Sequence, residues 1–222
     1  MCFSASASFI AGGALSAVGI ATLRKVENKK EIPFASIPLL FGIQQLIEGV
    51  LWLTFRFHAP ELNTAMTYIY SLFSHVLWPI FIPFSIVLLE TVAWRKKIMW
   101  VFWVTGTAVS FYLMYFLIKF PVTSQVVNNH IVYFSPPFYI YIVTGLYVAA
   151  TTVSSMFSSH RVIYLFGGLA LLSFIVAYLF YTVALVSVWC FFAAILSLII
   201  YTYFKYKTAG IQSNVKILNP KV

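Results

Sequence analysis

Two cysteines, one histidine and one glutamate set the chemical question: Cys2, His75, Cys190 and Glu48. Thiolate, imidazole and carboxylate all suit zinc, and three protein ligands with an open fourth position make a catalytic site. With Cys2, His75 and Cys190 as ligands, zinc would lower the pKa of its bound water to about 7. Glu48 would then act as general base or as fourth ligand. Gln44 and Gln45 lie four and three residues before Glu48, on the same helix face, where they can orient it. Ser71, His75 and Trp78 share a face of another segment, and Ser187, Cys190 and Ala194 share a face near the end of the chain. Gln44, Gln45, Ser71 and Trp78 are therefore the expected substrate contacts. A water-using reaction, hydrolysis or hydration, is the chemistry this set points to.

The ligands are dispersed, with no C-x-x-C or H-x-x-x-H pair, and each residue also has a plainer role. Glu48 can be a protonated carboxyl bonded to Gln44 or to another helix. His75 can satisfy a carbonyl freed by a kink near Pro79. Cys190 can be a small apolar filler, and Cys2 and Cys190 can pair as a disulfide in an oxidising compartment. A non-enzymatic alternative uses Glu48 and His75 as an ion or proton relay in a small transporter, channel or sensor. A purely structural or partner-binding role is the third alternative.

The elements that position these residues follow from composition. Of 222 residues, 62% are hydrophobic and 9% charged, against about 25% charged in soluble domains. A soluble fold of this size cannot bury so much apolar surface, so the bilayer acts as solvent. The fold class is an all-α polytopic transmembrane bundle. Spans are expected near Ser4–Leu23, Phe34–Phe55, Met66–Leu89, Ile98–Ile118, Pro137–Met156, Val162–Tyr181 and Val183–Phe204. The last two come from one long apolar stretch folded as a tight hairpin near Tyr181–Leu185. Residues 1–206 form one membrane domain, and residues 207–222 are a flexible basic tail.

Charge orders the spans. The net charge is +9, and the basic residues stand between apolar runs, which argues against nucleic acid. Arg24, Lys25, Lys29 and Lys30 occupy the first connection, Arg95, Lys96 and Lys97 the third, Arg161 the fifth, and Lys205, Lys207, Lys216 and Lys221 the tail. The intervening connections hold only Arg56 and Lys119. This alternation predicts seven spans, N-terminus out and C-terminus in, in a plasma (inner) membrane. Six spans would put the basic tail outside. The apolar start has no basic residues before it, as expected of a retained first span rather than a cleaved signal. His75 then sits about nine residues from the outer surface, roughly 13 Å deep. The site opens outward, to a small-molecule or lipid substrate from the outer side.

Three features concern packing. Ser8, Gly12, Ser16 and Gly19 form a small-residue stripe for close helix approach. Pro79 and Pro83 each remove a backbone donor and should kink the third span. Glu90 and Arg95 are within helical reach and are expected to pair. In the outer loop 120–136, Gln125–Val127, Asn128-Asn129 and His130–Tyr133 have the pattern of a β-hairpin, since paired Asn tolerates positive φ. It could serve as a lid; an ordinary ordered loop is the preferred expectation.

The start Met1-Cys2-Phe3-Ser4-Ala5-Ser6-Ala7-Ser8-Phe9, with Ala21-Thr22-Leu23-Arg24, resembles an uncharacterised group of prokaryotic membrane proteins that begin Met-Cys-Phe-Ser. The runs Phe41-Gly42-Ile43-Gln44-Gln45-Leu46-Ile47-Glu48-Gly49 and Val188-Trp189-Cys190-Phe191-Phe192-Ala193-Ala194 are similar to the same group. The resemblance implies a multi-pass bacterial or archaeal membrane protein, with Cys2, Glu48 and Cys190 in a common pattern. It brings no activity, and so no catalytic residues.

Overall fold

Apolar runs of spanning length become seven helices in the computed structural model, which describes residues 4–134 and 141–207. They are α1 (Ala5–Leu23), α2 (Ile32–Arg56), α3 (Pro60–Leu89), α4 (Ala93–Lys119), α5 (Tyr141–Met156), α6 (Arg161–Phe180) and α7 (Leu185–Lys207). All but α5 are long and apolar enough to cross a membrane. This is a helical membrane protein.

Two helices start more than a turn earlier than expected. Pro60 at the first position of α3 starts it six residues before Met66, because proline presets helical φ where no N–H partner exists. α4 begins at Ala93 and so carries Arg95, Lys96 and Lys97 itself. The break between α6 and α7 is the short 3-10 turn Thr182–Ala184. The start expected for the fifth span, Pro137, lies outside the described residues.

α1 and α2 run antiparallel at very short range. A Cβ on Gly19 would lie 2.4 Å from Leu39 N, and one on Gly42 would lie 2.7 Å from Ser16 N. The small stripe of α1 is therefore where the two backbones meet. α3 bends around its prolines. Residues Leu72–Leu77 form a π-turn, and Trp78 N–H reaches Phe73 O. The next acceptor, Ser74 O, would need the N–H that Pro79 lacks, and the Tyr147 hydroxyl of α5 donates to it instead. Pro83 likewise leaves Pro79 O without its helical donor. Gly106 of α4 packs directly on that oxygen, where a Cβ would stand at 1.9 Å. One turn on, Ser110 Oγ donates to Val76 O at 2.9 Å.

The connections gather at two ends. At the basic end, Glu90 and Arg95 do not pair with each other. Glu90 accepts from Thr91 N, Val92 N, Ser159 N and Ser159 Oγ, while Arg95 donates to Phe157 O and Ser158 O. Both clamp the α5–α6 connection, because four donors converging on one carboxylate leave it no need of the guanidinium. Lys207, expected in the tail, ends α7 and pairs with Glu31 and, at 3.9 Å, with Glu27. The rest of the tail lies outside the described residues.

At the other end, residues expected as a plain loop pair as strands β1 (Thr123–Val127) and β2 (His130–Phe134), antiparallel with Val127 opposite His130. Asn128 and Asn129 turn between them at φ 49° and 60°, the double positive φ of a two-residue hairpin turn. The hairpin is anchored by Thr67 bonded to Ser124 at 2.8 Å, Ser124 Oγ donating to Asn63 Oδ1, and Asn63 Nδ2 donating to Thr54 Oγ1. The rings of Tyr70 and Tyr133 stack at 4.5 Å.

Candidate functional site

α2 carries Gln44, Gln45 and Glu48 on its buried face, as their spacing requires. Gln44 Oε1 accepts from Trp78 Nε1 at 2.8 Å, and the Trp78 ring stacks on Phe41 at 3.9 Å. This ties α2 to α3 just below the π-turn. Glu48 accepts a hydrogen bond from Ser187 Oγ of α7, with the Gln45 side chain alongside the same carboxyl. The Cys190 thiol, one turn along α7, lies beside the side chains of Gln44 and Tyr70. Polar groups on three helices thus meet at one level, where an unpaired buried group would be costly.

His75 is placed by the π-turn. Its Nδ1 lies 3.1 Å from Ser71 O and 2.7 Å from Ser74 Oγ. A carbonyl only accepts, so this geometry fits a proton on Nδ1 and leaves Nε2 as the basic or ligating nitrogen. The carbonyl His75 serves belongs to Ser71, one turn before it, not to the kink at Pro79.

A cavity of about 480 Å³ lies between these groups and β2. His75, Ser187 and Cys190 reach its wall, as do Ser74, Thr144 and Tyr147. Gln44, Gln45, Glu48, Ser71 and Trp78 do not. They stand one layer behind, so Glu48 touches the cavity only through the Ser187 hydroxyl that it holds. Oε2 of Glu48 and Oγ of Ser71 are buried without a hydrogen-bond partner among the described residues. A second space of about 30 Å³ adjoins the first and shares Tyr147, Trp189 and Cys190 with it. That is room for about one or two waters.

Of the expected metal set, His75 and Cys190 share the cavity wall, and Cys2 lies outside the described residues. Among the described residues no three His, Cys, Asp or Glu side chains come together to hold a metal. The described cysteine, Cys190, is a free thiol.

Sequence patterns left five hydroxyl residues unselected. Ser187 is noticed only as a helical neighbour of Cys190; its bond to Glu48 depends on the packing of α7 against α2. Tyr147 is one of many tyrosines until the π-turn exposes Ser74 O. Thr151, Thr152 and Ser154 continue a buried hydroxyl stripe down α5, each bonded back to its own helix. Such self-satisfied hydroxyls read as filler in a sequence.

Outside the spans, burial lowers the pKa of His130 at the hairpin tip, where its ring meets Tyr181 edge-on at 5.6 Å. At the opposite end, burial by itself would raise the pKa of Glu90. The hydrogen bonds from Ser159, Val92 and Thr91 outweigh it and hold the carboxyl below its ordinary value.

No curated protein and no solved structure matches the chain. The family model described as Family of unknown function (DUF6629) matches residues 1–214, nearly the whole length, and the chain belongs to that family.

Proposed function

We propose that this protein binds a small, mainly apolar molecule in its hairpin-end cavity, with His75, Ser187 and Cys190 as the polar groups that orient it. The carrying observation is their convergence from two helices, beneath β2, on one wall that has no Asp, Glu, Lys or Arg among the described residues. Ligand sites are concave, mostly apolar and furnished with a few convergent polar groups. Glu48 would accept or return a proton through Ser187, keeping the carboxyl itself out of the ligand's reach.

In the membrane we propose seven spans, with the N-terminus outside and the C-terminus in the cytoplasm of a plasma membrane. Parity supports this count. Lys207 pairs with Glu31, so the helices between them must cross an even number of times, and that requires α5 to cross as well. Charge supports the orientation: the hairpin end has Arg56 and Lys119, and the other end has ten of the fourteen Lys and Arg residues. The cavity then faces outward.

A zinc-dependent hydrolase or hydratase is a catalytic form of this proposal, favoured by His75 and Cys190 lining one cavity. Cys2 would complete the set, and zinc would supply an acidic bound water there. The relay alternative draws instead on the hydroxyl stripe of α5. The test is native mass spectrometry and zinc analysis of protein released from its own membranes, beside Cys2→Ser, His75→Ala, Ser187→Ala and Cys190→Ser. The expected result is a bound small molecule that His75→Ala and Ser187→Ala lose. Near-stoichiometric zinc lost in Cys2→Ser, His75→Ala and Cys190→Ser would make the site catalytic. If the unmodified protein carries no ligand mass and no zinc, the binding proposal is overturned.

A further inference from the structure

The cavity lies between two helices that are close at one end only. At the basic end α6 sits on α5: a Cβ on Gly167 would lie 2.6 Å from Ser155 Cβ and 2.7 Å from Thr152 O. Toward the hairpin end the same two helices face each other across the cavity, Thr144 and Tyr147 on one side and Phe174 and Tyr178 on the other. The outermost wall residues also belong to the apolar outer surface. Tyr141 is 88% exposed and Tyr178 45%, and their neighbours Ile142, Leu179 and Phe180 are exposed too. The wall among the described residues carries no Asp, Glu, Lys or Arg. On the aqueous side, β2 covers the cavity and is held there by the Tyr70–Tyr133 stack, while β1 is anchored through Ser124.

We propose that the α5–α6 gap is a lateral portal, and that the ligand is a neutral single-tailed amphiphile drawn from the surrounding outer leaflet. It enters polar group first. A compact hydrogen-bonding head meets Ser187 and His75 at the inner wall, while the apolar tail passes between Tyr141 and Tyr178 and stays in the bilayer. Such a ligand leaves most of its apolar surface in lipid, so a cavity of about 480 Å³ needs to hold only the head and the first part of the tail. A charged head would meet no opposite charge among the described wall residues and would be disfavoured in an apolar space. This inference rests on the proposed binding site and adds its access route and ligand class.

The test uses the full chain in proteoliposomes with two photoactivatable probes bearing the same head: a diazirine hexadecanol and a diazirine butanol. Cross-linked residues are located by mass spectrometry. The expected result is hexadecanol labelling of Tyr141, Tyr178 and Trp189, competed by unlabelled hexadecanol, with several-fold weaker butanol labelling. Thr144→Trp, which fills the gap, should remove labelling at Trp189 and leave the outer-surface residue Phe111 labelled. Butanol labelling the inner wall as strongly as hexadecanol would overturn the portal and leave the binding site standing, with access from water. Hexadecanol confined to the outer surface while butanol reaches Trp189 would do the same. Failure of both probes to reach the wall, with no ligand found by native mass spectrometry, would overturn both proposals. The comparison of probes in the unmodified protein does not depend on any variant folding.

Discussion

The α1–α2 and α5–α6 pairs are both rich in glycine, and glycine does opposite things in them. In α1–α2, Gly12, Gly19 and Gly42 all face the partner helix, with Gly19 and Gly42 set against its backbone, so the two helices touch along their length. In α5–α6, Gly167 alone makes such a contact, at the basic end, while Gly145 and Gly168 have nothing within 4 Å of where a Cβ would stand. Small residues in a span permit close approach but do not cause it. Approach happens where the facing residues leave room along a whole stripe; where bulky Tyr141, Tyr147, Phe174 and Tyr178 intervene, a cavity forms instead.

The largest effect that could break this comparison is expected at Gly19. Gly19→Leu should cost about 3 kcal/mol, the upper end for overpacking, because backbone atoms of Leu39 cannot yield as a side-chain tip can. Gly145→Leu and Gly168→Leu should stay within about 0.5 kcal/mol, as substitutions in open space do. Chemical unfolding in detergent micelles measures all three. A Gly145→Leu cost equal to that of Gly19→Leu would mean that α5 is closely covered and the contrast is wrong.

Next in size is Glu48→Ala, which removes the acceptor of the buried Ser187 hydroxyl. A loss of about 2 kcal/mol is expected, together with loss of any cavity ligand, and Glu48→Gln should recover much of the stability. Stability unchanged in Glu48→Ala would show that Ser187 finds another acceptor at no cost.

At the basic end, Glu90→Gln should cost about 1 kcal/mol through weakened hydrogen bonds to the α5–α6 connection, leaving ligand binding in the cavity intact. The Glu90 carboxyl is held below the ordinary value of 4.5. Its contribution is therefore complete above that value and is lost as pH falls through the lower folded value. Acid titration of thermal stability should show a loss in this range that is reduced in Glu90→Gln. An identical acid profile in the variant would remove Glu90 from the clamp.

The last effect is local to the hairpin. Asn129→Ala at φ 60° should cost about 1 kcal/mol, the ordinary penalty for a left-handed non-glycine residue, whereas Asn129→Gly should be tolerated. Hydrogen exchange of β1 and β2 reads this locally. Equal protection in the two variants would mean that anchoring through Ser124 outweighs the turn.

The helical membrane class was legible in the sequence because it follows from a sum over residues: too much apolar surface and too little charge for water. The faces of α2, α3 and α7 were legible for a related reason, since helical spacing alone puts Gln44, Gln45 and Glu48 together, and Ser187 with Cys190. The Asn128-Asn129 turn carried its own signal, although pairing of the strands required the anchors on Asn63 and Thr67. Other features depended on groups distant in the chain. Glu90 and Arg95 are near neighbours in sequence, yet each found better partners around Ser159, some 65 residues away. The π-turn that aims His75 needs Tyr147 to satisfy a carbonyl that Pro79 cannot. Local periodicity therefore determined which residues share a face. Only tertiary packing decided which of those faces meet a cavity, because an unsatisfied carbonyl or an unfilled gap is a property of several helices together and of no one segment.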